Sequence, residues 1–406
     1  MLLQTAQSPV VTGYGRAATS ELAAQRCIEA LGAVKPTMLL VFCGGKLDGG
    51  GILDAFKSKF GDIPIVGGAA AGAISGDAFG YSGLEIAALA ILSRAVTPRL
   101  FLSGDLSEGE YEVSRRLGFE ISETIKYGDT ITLFYDSVAR NPPLKLHTAT
   151  QIVAGLMDGC RKKRPKVLGG GLLTDLNLSE GWIFDGDTVR NHGLVALSWP
   201  SAVTADAFVM NGCVPASSFL TITRIEGAVV YELDGEPALT VLERRLGRPI
   251  TTGPEGTISL LATLGQKQGD QFGPFDEHSY VNRLILTGDP AEGSVTLFEA
   301  DFELGAKVQI MARDNALMLD SVRRGVRSAN EIIAQGDTLF SLYIDCAGRA
   351  SVRSGATREE ASLVVDGLDP SAPLIGLYSG VEIAPFGGEP RALDWTGLLA
   401  VMRYSP

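Results

Sequence analysis

Pro373-Leu-Ile-Gly-Leu-Tyr-Ser-Gly-Val-Glu-Ile-Ala-Pro-Phe-Gly-Gly388, closing with Leu393-Asp-Trp-Thr-Gly-Leu-Leu-Ala-Val-Met402, decides the fold, because its grammar occurs three times in the chain. Pro373-Leu-Ile-Gly376 has counterparts in Pro64-Ile-Val-Gly67-Gly68 and Lys166-Val-Leu-Gly169-Gly170. The closing run Gly397-Leu-Leu-Ala-Val-Met402 has counterparts in Gly83-Leu-Glu-Ile-Ala-Ala-Leu-Ala-Ile91 and Gly193-Leu-Val-Ala-Leu-Ser198. Each set is preceded by a run of β-formers that ends in a small polar or sulfur group. These are Thr37-Met-Leu-Leu-Val-Phe-Cys43-Gly44, Asp129-Thr-Ile-Thr-Leu-Phe-Tyr-Asp136-Ser137 and Asp337-Thr-Leu-Phe-Ser-Leu-Tyr-Ile-Asp345-Cys346. Short apolar runs bounded by turn residues read as buried strands.

Between the first and second strand of each set the pattern turns helical. Ile152, Val153, Leu156 and Met157 share one face at helical spacing. Thr357-Arg-Glu-Glu360, with Ala361, Leu363 and Val364 behind it, has the form of a capping box. The unit is therefore strand, helix, strand-Gly, turn, strand, repeated three times. A β–α–β crossover makes neighbouring strands parallel and gathers polar strand ends and glycines at one edge, where α/β sheets bind ligands.

The pattern changes between the second and third units. Phe219–Gly235 reads as a β-hairpin, and Glu236–Leu246 as a helix with Pro237 near its start and Gly247 just past its end. Val295–Leu304 and Ala306–Ala312 read as a second hairpin turning near Gly305. The expected architecture is α/β and two-lobed, with mixed sheets and helices packed on them. The domains are drawn as 1–200 and 201–406, parting near Trp199-Pro200-Ser201.

Composition narrows the function classes. The 406 residues are 45% hydrophobic, enough for a full core, and carry a formal net charge of −12. So acidic a chain lacks the basic face that nucleic acid or an anionic membrane requires. The one basic run, Arg161-Lys-Lys-Arg164, follows a helical segment, where cations complement the macrodipole. The start, Met1-Leu-Leu-Gln-Thr-Ala-Gln-Ser8, has neither the basic region nor the apolar core of a signal peptide. The apolar run at Ile86–Leu92 is too short to span a bilayer. Five widely spaced cysteines (27, 43, 160, 213 and 346) argue against a disulfide framework or a zinc site. Together these place the protein in the cytoplasm.

The chain resembles a standalone FIST protein, a FIST N-terminal domain followed by a FIST C-terminal domain. The resemblance rests on the order of several stretches rather than on any one. In the N-terminal half these are Ile65-Val-Gly-Gly-Ala-Ala-Ala-Gly72 and Val167-Leu-Gly-Gly-Gly171. In the C-terminal half they are Asn211-Gly-Cys-Val-Pro215, Glu232-Leu-Asp-Gly-Glu-Pro-Ala238, Asp345-Cys-Ala-Gly-Arg349 and Gly380-Val-Glu-Ile-Ala-Pro385. The resemblance implies a bacterial sensor domain for a small ligand. It also implies a signalling partner, a histidine kinase or similar, since the chain has no kinase, cyclase or methyl-accepting motif of its own. Some standalone members of the family bind haem and report nitric oxide.

Cys346, Arg349, Glu382, Arg283, Asp136, Gly169, Gly170 and Gly380 are the candidates for the ligand site, and Cys213, Ser137 and Asp345 are weighed beside them. Cys346 precedes Arg349, whose guanidinium would lower the thiol pKa; burial as a small filler is the plainer alternative. Cys213 has the same two readings. Glu382 lies in an apolar stretch beside Gly380 and needs a partner, for which Arg349 and Arg283 are the candidates. Either a structural ion pair or a carboxylate for a ligand amine follows. Arg283, in the alternating run His278–Leu286, has a fork suited to a ligand carboxylate, or is an exposed strand charge. Asp136, with Ser137, and Asp345 end strands and serve as ligand groups or as caps. Gly169 and Gly170 either bring backbone N–H groups to an anion or pack strand against helix. The three histidines (147, 192 and 278) are far apart in sequence, so no metal site is expected.

These residues support a cytoplasmic sensor that binds a small polar metabolite such as an amino acid between its two halves and acts through a partner. A hydrolase or transferase using Cys346 or a carboxylate is the competing expectation, with no cofactor called for. A haem-based gas sensor, with His147 as proximal ligand, is the third.

Overall fold

The computed structural model describes residues 8–250 and 263–406. The first unit runs β1 (Val10–Arg16), α1 (Ser20–Leu31), β2 (Met38–Gly44), α2 (Gly49–Phe60), β3 (Ile65–Ala70), the hairpin β4 (Gly72–Ser75) and β5 (Ala78–Gly80), and β6 (Glu85–Ile91). The second repeats it: β7 (Arg99–Leu102), α3 (Glu110–Ser122), β8 (Thr130–Asp136), a small ribbon β9 (Val138–Arg140) and β10 (Lys145–Leu146), α4 (Ala149–Cys160), β11 (Lys166–Leu172), the hairpin β12 (Ile183–Gly186) and β13 (Val189–Arg190), and β14 (Leu194–Ser198).

The third unit opens with β15 (Val203–Met210), and an insert follows directly. The insert comprises β16 (Cys213–Pro215), β17 (Leu220–Glu226), β18 (Val229–Leu233), β19 (Glu236–Pro237), α5 (Ala238–Leu246), β20 (Thr263–Lys267), β21 (Tyr280–Asp289), β22 (Ser294–Leu297) and β23 (Lys307–Arg313). The unit then resumes with α6 (Asn315–Ile333), β24 (Thr338–Cys346), a single turn α7 (Ser351–Ser354), α8 (Glu360–Gly367), β25 (Leu374–Ser379), the hairpin β26 (Glu382–Phe386) and β27 (Glu389–Leu393), and β28 (Gly397–Tyr404).

Each unit forms a sheet of the same order, and each sheet is completed by another unit's hairpin. The orders are β1-β6-β2-β3-β12-β13, β7-β14-β8-β11-β26-β27 and β15-β28-β24-β25-β4-β5. The hairpin of the second unit thus extends the first sheet, that of the third extends the second, and that of the first extends the third. The central pairs are parallel, as the crossover helices require. Their registers coincide: Gly67 lies opposite Val41, Gly169 opposite Leu133, and Gly376 opposite Tyr343.

Alternation along these strands sorts the core. Leu40 and Phe42, Phe134, and Leu342 and Ile344 point inward into one cluster shared by the three sheets, where Phe42 meets Phe134 edge-on at 5.1 Å. The alternate residues face the helices: Val41 and Cys43 beneath α1 and α2, Leu133 and Tyr135 beneath α3 and α4, and Tyr343 beneath α6 and α8. Each large side chain so buried contributes about 1.5–3 kcal/mol. Helix starts follow their sequences: the side chains of Thr19, Asp48 and Asp314 accept from Leu22 N, Gly51 N and Ala316 N. The insert strands run β23-β17-β18-β22-β21-β20 and close back on β23, a small antiparallel barrel filled from α5 by Leu239 and Leu242. Among the described residues no helix is long and apolar enough to cross a membrane.

Two local expectations fail. The segment 295–312 is not a hairpin: β22 pairs with β18 and β21, and β23 with β16, β17 and β20. The chain leaves the sheet after Leu297 because Glu299 and Asp301 are drawn to partners elsewhere, the start of α4 and Arg283. The capping box at Thr357 does not form either. The cap of α8 is Glu359, without a side-chain cap bond. Glu359 instead accepts from Ser351 N and Tyr378 Oη, and Glu360 is held by Arg349.

Candidate functional site

The three central strands end on one rung. In the common register Gly44, Asp136 and Cys346 are equivalent, and their partners on the neighbouring strands are Ala70, Leu172 and Ser379. The three rims differ in what fills them. In the first, a Cβ at Gly44 would lie 2.3 Å from Gly83 and one at Gly45 2.2 Å from Thr174 O, so backbone closes it. In the second, Asp136 is fully buried. Its Oδ1 accepts from Val138 N at 3.2 Å and its Oδ2 from His192 N at 2.9 Å. Burial raises its pKa and these two bonds oppose the rise.

The third rim borders a cavity. The space, about 50 Å³, lies between Cys346, Ala347, Gly348, Ser379 and Gly380 of the third unit, the loop after β11 (Leu173, Leu176 and Leu178), and Leu284 and Phe298 of the insert, with Arg353 at its edge. A smaller hollow of about 10 Å³ adjoins it, sharing Leu173, Phe298 and Gly380 and reaching Tyr135, Ser137, His147 and Glu299. The hydroxyls of Tyr135 and Ser137 there face each other and have no partner beyond that pair among the described residues. Glycine at 171 clears their space, since a Cβ there would sit 2.1 Å from Ser137 Oγ and 2.7 Å from Tyr135 Oη.

Acidic groups back this wall. Ser379 donates to Glu382 Oε1 at 2.6 Å, and Thr396 donates to Oε2 through N (3.2 Å) and Oγ1 (2.9 Å). Burial pushes Glu382 up to about 8 against those hydrogen bonds. Glu299 reaches across from the insert to cap α4, accepting from Ala149 N and from Thr150 N and Oγ1 at 2.8–3.0 Å. Burial, and then the Asp394 charge, raise it to about 8. The pKa of Tyr135 is raised by burial and then by the charge of Glu299. The inner end of the cavity is thus backed by two carboxyl groups that burial holds mostly protonated at neutral pH, and its outer edge carries a guanidinium.

The sequence candidates scatter. Cys346 and Gly380 meet at the cavity, and Glu382 stands one side chain behind it. Glu382 takes no arginine among the described residues: its partners are the hydroxyls of Ser379 and Thr396 and the Thr396 N–H. Arg349 is wholly buried, with Nε and Nη2 on Glu360 at 2.8 and 2.6 Å and Nη1 on the carbonyls of Met210 and Trp395. Burial and then the Glu382 charge raise the Cys346 thiol well above its ordinary value, and the Arg349 charge opposes them only weakly. Asp345, 3.9 Å from Arg349 Nε, makes no hydrogen bond through either carboxyl oxygen among the described residues. Cys213 is buried and raised to about 11.

Arg283 is not an exposed strand charge. Its fork is closed on Asp301 at 2.6 and 2.5 Å, and its remaining reach goes to the Asn282 and Ala392 carbonyls. Gly169 and Gly170 spend their backbone in the sheet, between Leu133 and Phe134 on one side and Ile383 and Glu382 on the other. Neither packs strand on helix: at φ 150° a Cβ on Gly169 would lie 1.8 Å from Leu133 O, so the close approach is strand to strand. His147 is buried, with Nδ1 on Glu110 at 2.9 Å and Nε2 on His192 Nδ1 at 3.1 Å. Both ring nitrogens are engaged, and the adjoining hollow is far smaller than a porphyrin, so these residues as placed do not fit a haem. Among the described residues no cluster of three or more metal-ligating side chains forms.

Ser379, Phe298 and Glu299 were not legible as site residues. For Ser379 a signal existed: it follows Gly376 at the position that Ala70 and Leu172 hold in the other units, and it alone of the three is polar.

Two uncharacterized proteins of Mycobacterium tuberculosis, from strains CDC 1551 and H37Rv, are each 28% identical over 236 residues, 58% of this chain. The matched stretch spans about 60% of the length of these curated relatives. A solved structure, cyanuric acid hydrolase from A. caulinodans, aligns over 98% of this chain and 99% of that one at 10% identity, with a TM-score of 0.29, too slight to carry an argument. The model of the FIST N domain matches residues 37–236 and that of the FIST C domain residues 238–385; the chain belongs to the FIST family.

Proposed function

We propose that this protein is a cytoplasmic sensor that binds a small zwitterionic metabolite, an amino acid of about the size of alanine, at the rim of its third unit and acts through a signalling partner. FIST domains are signal-transduction sensor domains. The observation that carries the finer reading is the polarity of the cavity: apolar walls, the hydroxyls of Tyr135 and Ser137, with no partner beyond each other among the described residues, backed by Glu299 and Glu382 at one end, and Arg353 at the other. An ammonium donates to those hydroxyls and favours ionisation of the carboxyls behind them, and a carboxylate suits a guanidinium fork. Size decides the rest. A water needs roughly 10–15 Å³ by this measure, so about 50 Å³ accommodates about four waters or a molecule of comparable bulk.

The walls come from the second unit, the third unit and the insert, so a ligand that prefers the closed arrangement shifts their relative populations and the surface a partner meets. Calorimetry and thermal shift with alanine, serine, valine, propionate and methylamine test this. Alanine or serine should raise the melting temperature, with the single-function analogues weaker. No heat and no shift with any of the five overturns the proposal. A nucleophilic role for Cys346 is disfavoured by its burial and raised pKa; thiol labelling at pH 7 should be slow.

A further inference from the structure

The groove between α6 and α8 stands apart from the rest of this acidic surface. It measures about 390 Å³ and is edged by Arg323, Arg327 and Arg358, with Val326 and Leu363 as its apolar floor. Arg323 and Arg327 are exposed on successive turns of α6, and neither has an ion-pair partner among the described residues. Arg358 donates to Asp366 at 2.5 Å and to Ser362 at 2.9 Å, so Asp366 is the one carboxylate on the groove. Three guanidinia against one carboxylate, in a chain of net charge −12, make a local positive field of the kind that selects an acidic partner. Like charges at i and i+4 disfavour the bare helix, so an anionic occupant would relieve a repulsion already present.

The groove is mechanically tied to the cavity. Cys346 lines the cavity, and three residues on Arg349 clamps Glu360, the first residue of α8, with two hydrogen bonds. The same guanidinium holds Met210 O at the end of β15, against which α6 packs. Displacement of the Cys346–Gly348 turn is therefore transmitted to both walls of the groove.

We infer that the groove between α6 and α8 is the output surface of the protein, docking an acidic segment of its partner that carries an apolar residue for the Val326–Leu363 floor. This rests on the sensor reading for its coupling, but not for its binding.

The test uses the full chain and fluorescence anisotropy with a labelled peptide of Glu-Glu-Leu repeats, and a Lys-Lys-Leu peptide as control. The acidic peptide should bind, weaken with added salt, and lose at least about tenfold in affinity in the double variant Arg323→Glu/Arg327→Glu, a change equivalent to about 1.4 kcal/mol. Arg115→Glu, on the distant α3, should leave binding unchanged. The double variant should keep the alanine-induced thermal shift, which separates a failed groove from a failed sensor. Equal binding by wild type and double variant, or displacement of the peptide by stoichiometric pyrophosphate, overturns the docking surface, the latter by marking a small-anion site. Peptide affinity that does not change with saturating alanine, in protein that binds alanine, overturns its role as output.

Discussion

The rims of the second and third units share a backbone register and differ in how their polar groups are settled. At the second, Asp136 receives two backbone N–H groups, and a Cβ on Gly181 would come within 2.4 Å of its Oδ1, so the carboxylate on that rung is satisfied and closed off. At the third, Cys346 and Ser379 open on a cavity, Glu382 leans on two hydroxyls and the Thr396 N–H, and the Asp345 carboxyl has no hydrogen bond among the described residues. Repetition builds the scaffold; departure from the repeat leaves the space. A buried polar group that lacks a partner is costly, and it persists where something else requires it.

The comparison breaks most readily at Arg349, which holds the third rim from behind. Arg349→Ala leaves Glu360 buried without its cation and should cost about 3–5 kcal/mol in urea unfolding; a loss below about 1 kcal/mol would mean the clamp is dispensable. Gly169 tests the shared register. Gly169→Ala forces a Cβ against Leu133 O and should cost about 1–3 kcal/mol, and a neutral result would show that the sheets give way easily.

A third prediction separates the rims by pH. Glu382 is raised to about 8, against an ordinary value near ~4.3 for an unfolded glutamate. Over that interval the folded protein holds a proton that the unfolded chain has released. Its stabilising contribution is complete below the unfolded value and is lost as pH rises through about 8. Urea midpoints should fall between pH 6 and pH 9. Glu382→Gln should flatten part of that fall, Glu299, also near 8, supplying much of the rest. An unchanged slope would show Glu382 ionising normally. The smallest effect on folding is expected at Ser137, whose hydroxyl has no partner beyond Tyr135 among the described residues: Ser137→Ala should stay within about 0.5 kcal/mol of wild type. The same variant should weaken alanine binding by calorimetry, and an unaltered affinity would place the ammonium elsewhere.

Much of the scaffold was legible because it is local. The three strand sets, the helix at 149–160, the hairpin at 219–235 and the helix ending at Gly247 each announce themselves by period, cap or turn chemistry. What was hidden depends on distant partners. Glu299 caps a helix 150 positions away, and that bond unmakes the hairpin expected at 295–312. His147 and His192 lie 45 positions apart and share a hydrogen bond. Arg283 looks like a surface charge in an alternating strand, and only tertiary placement shows the ion pair that buries it. Of the site candidates, Cys346 and Gly380 were within reach because they end strands at the sheet edge. Phe298 and Glu299 were not, since the insert that delivers them bears no trace of the repeat.

The exchange of hairpins has a consequence for biosynthesis. The β4 strand bonds to β25, and Gly72 pairs with Tyr378, so the first hairpin leaves the ribosome roughly 300 residues before its mate. Until then its edge is bare, and exposed edges invite aggregation during slow, long-range assembly. No unit can finish its own sheet, so the nascent chain has no intermediate stopping point at which a third of the molecule is sealed. Fragments 1–200 and 201–406 made separately should each stay protease-sensitive, and resistance should return only when both are made in the same cell.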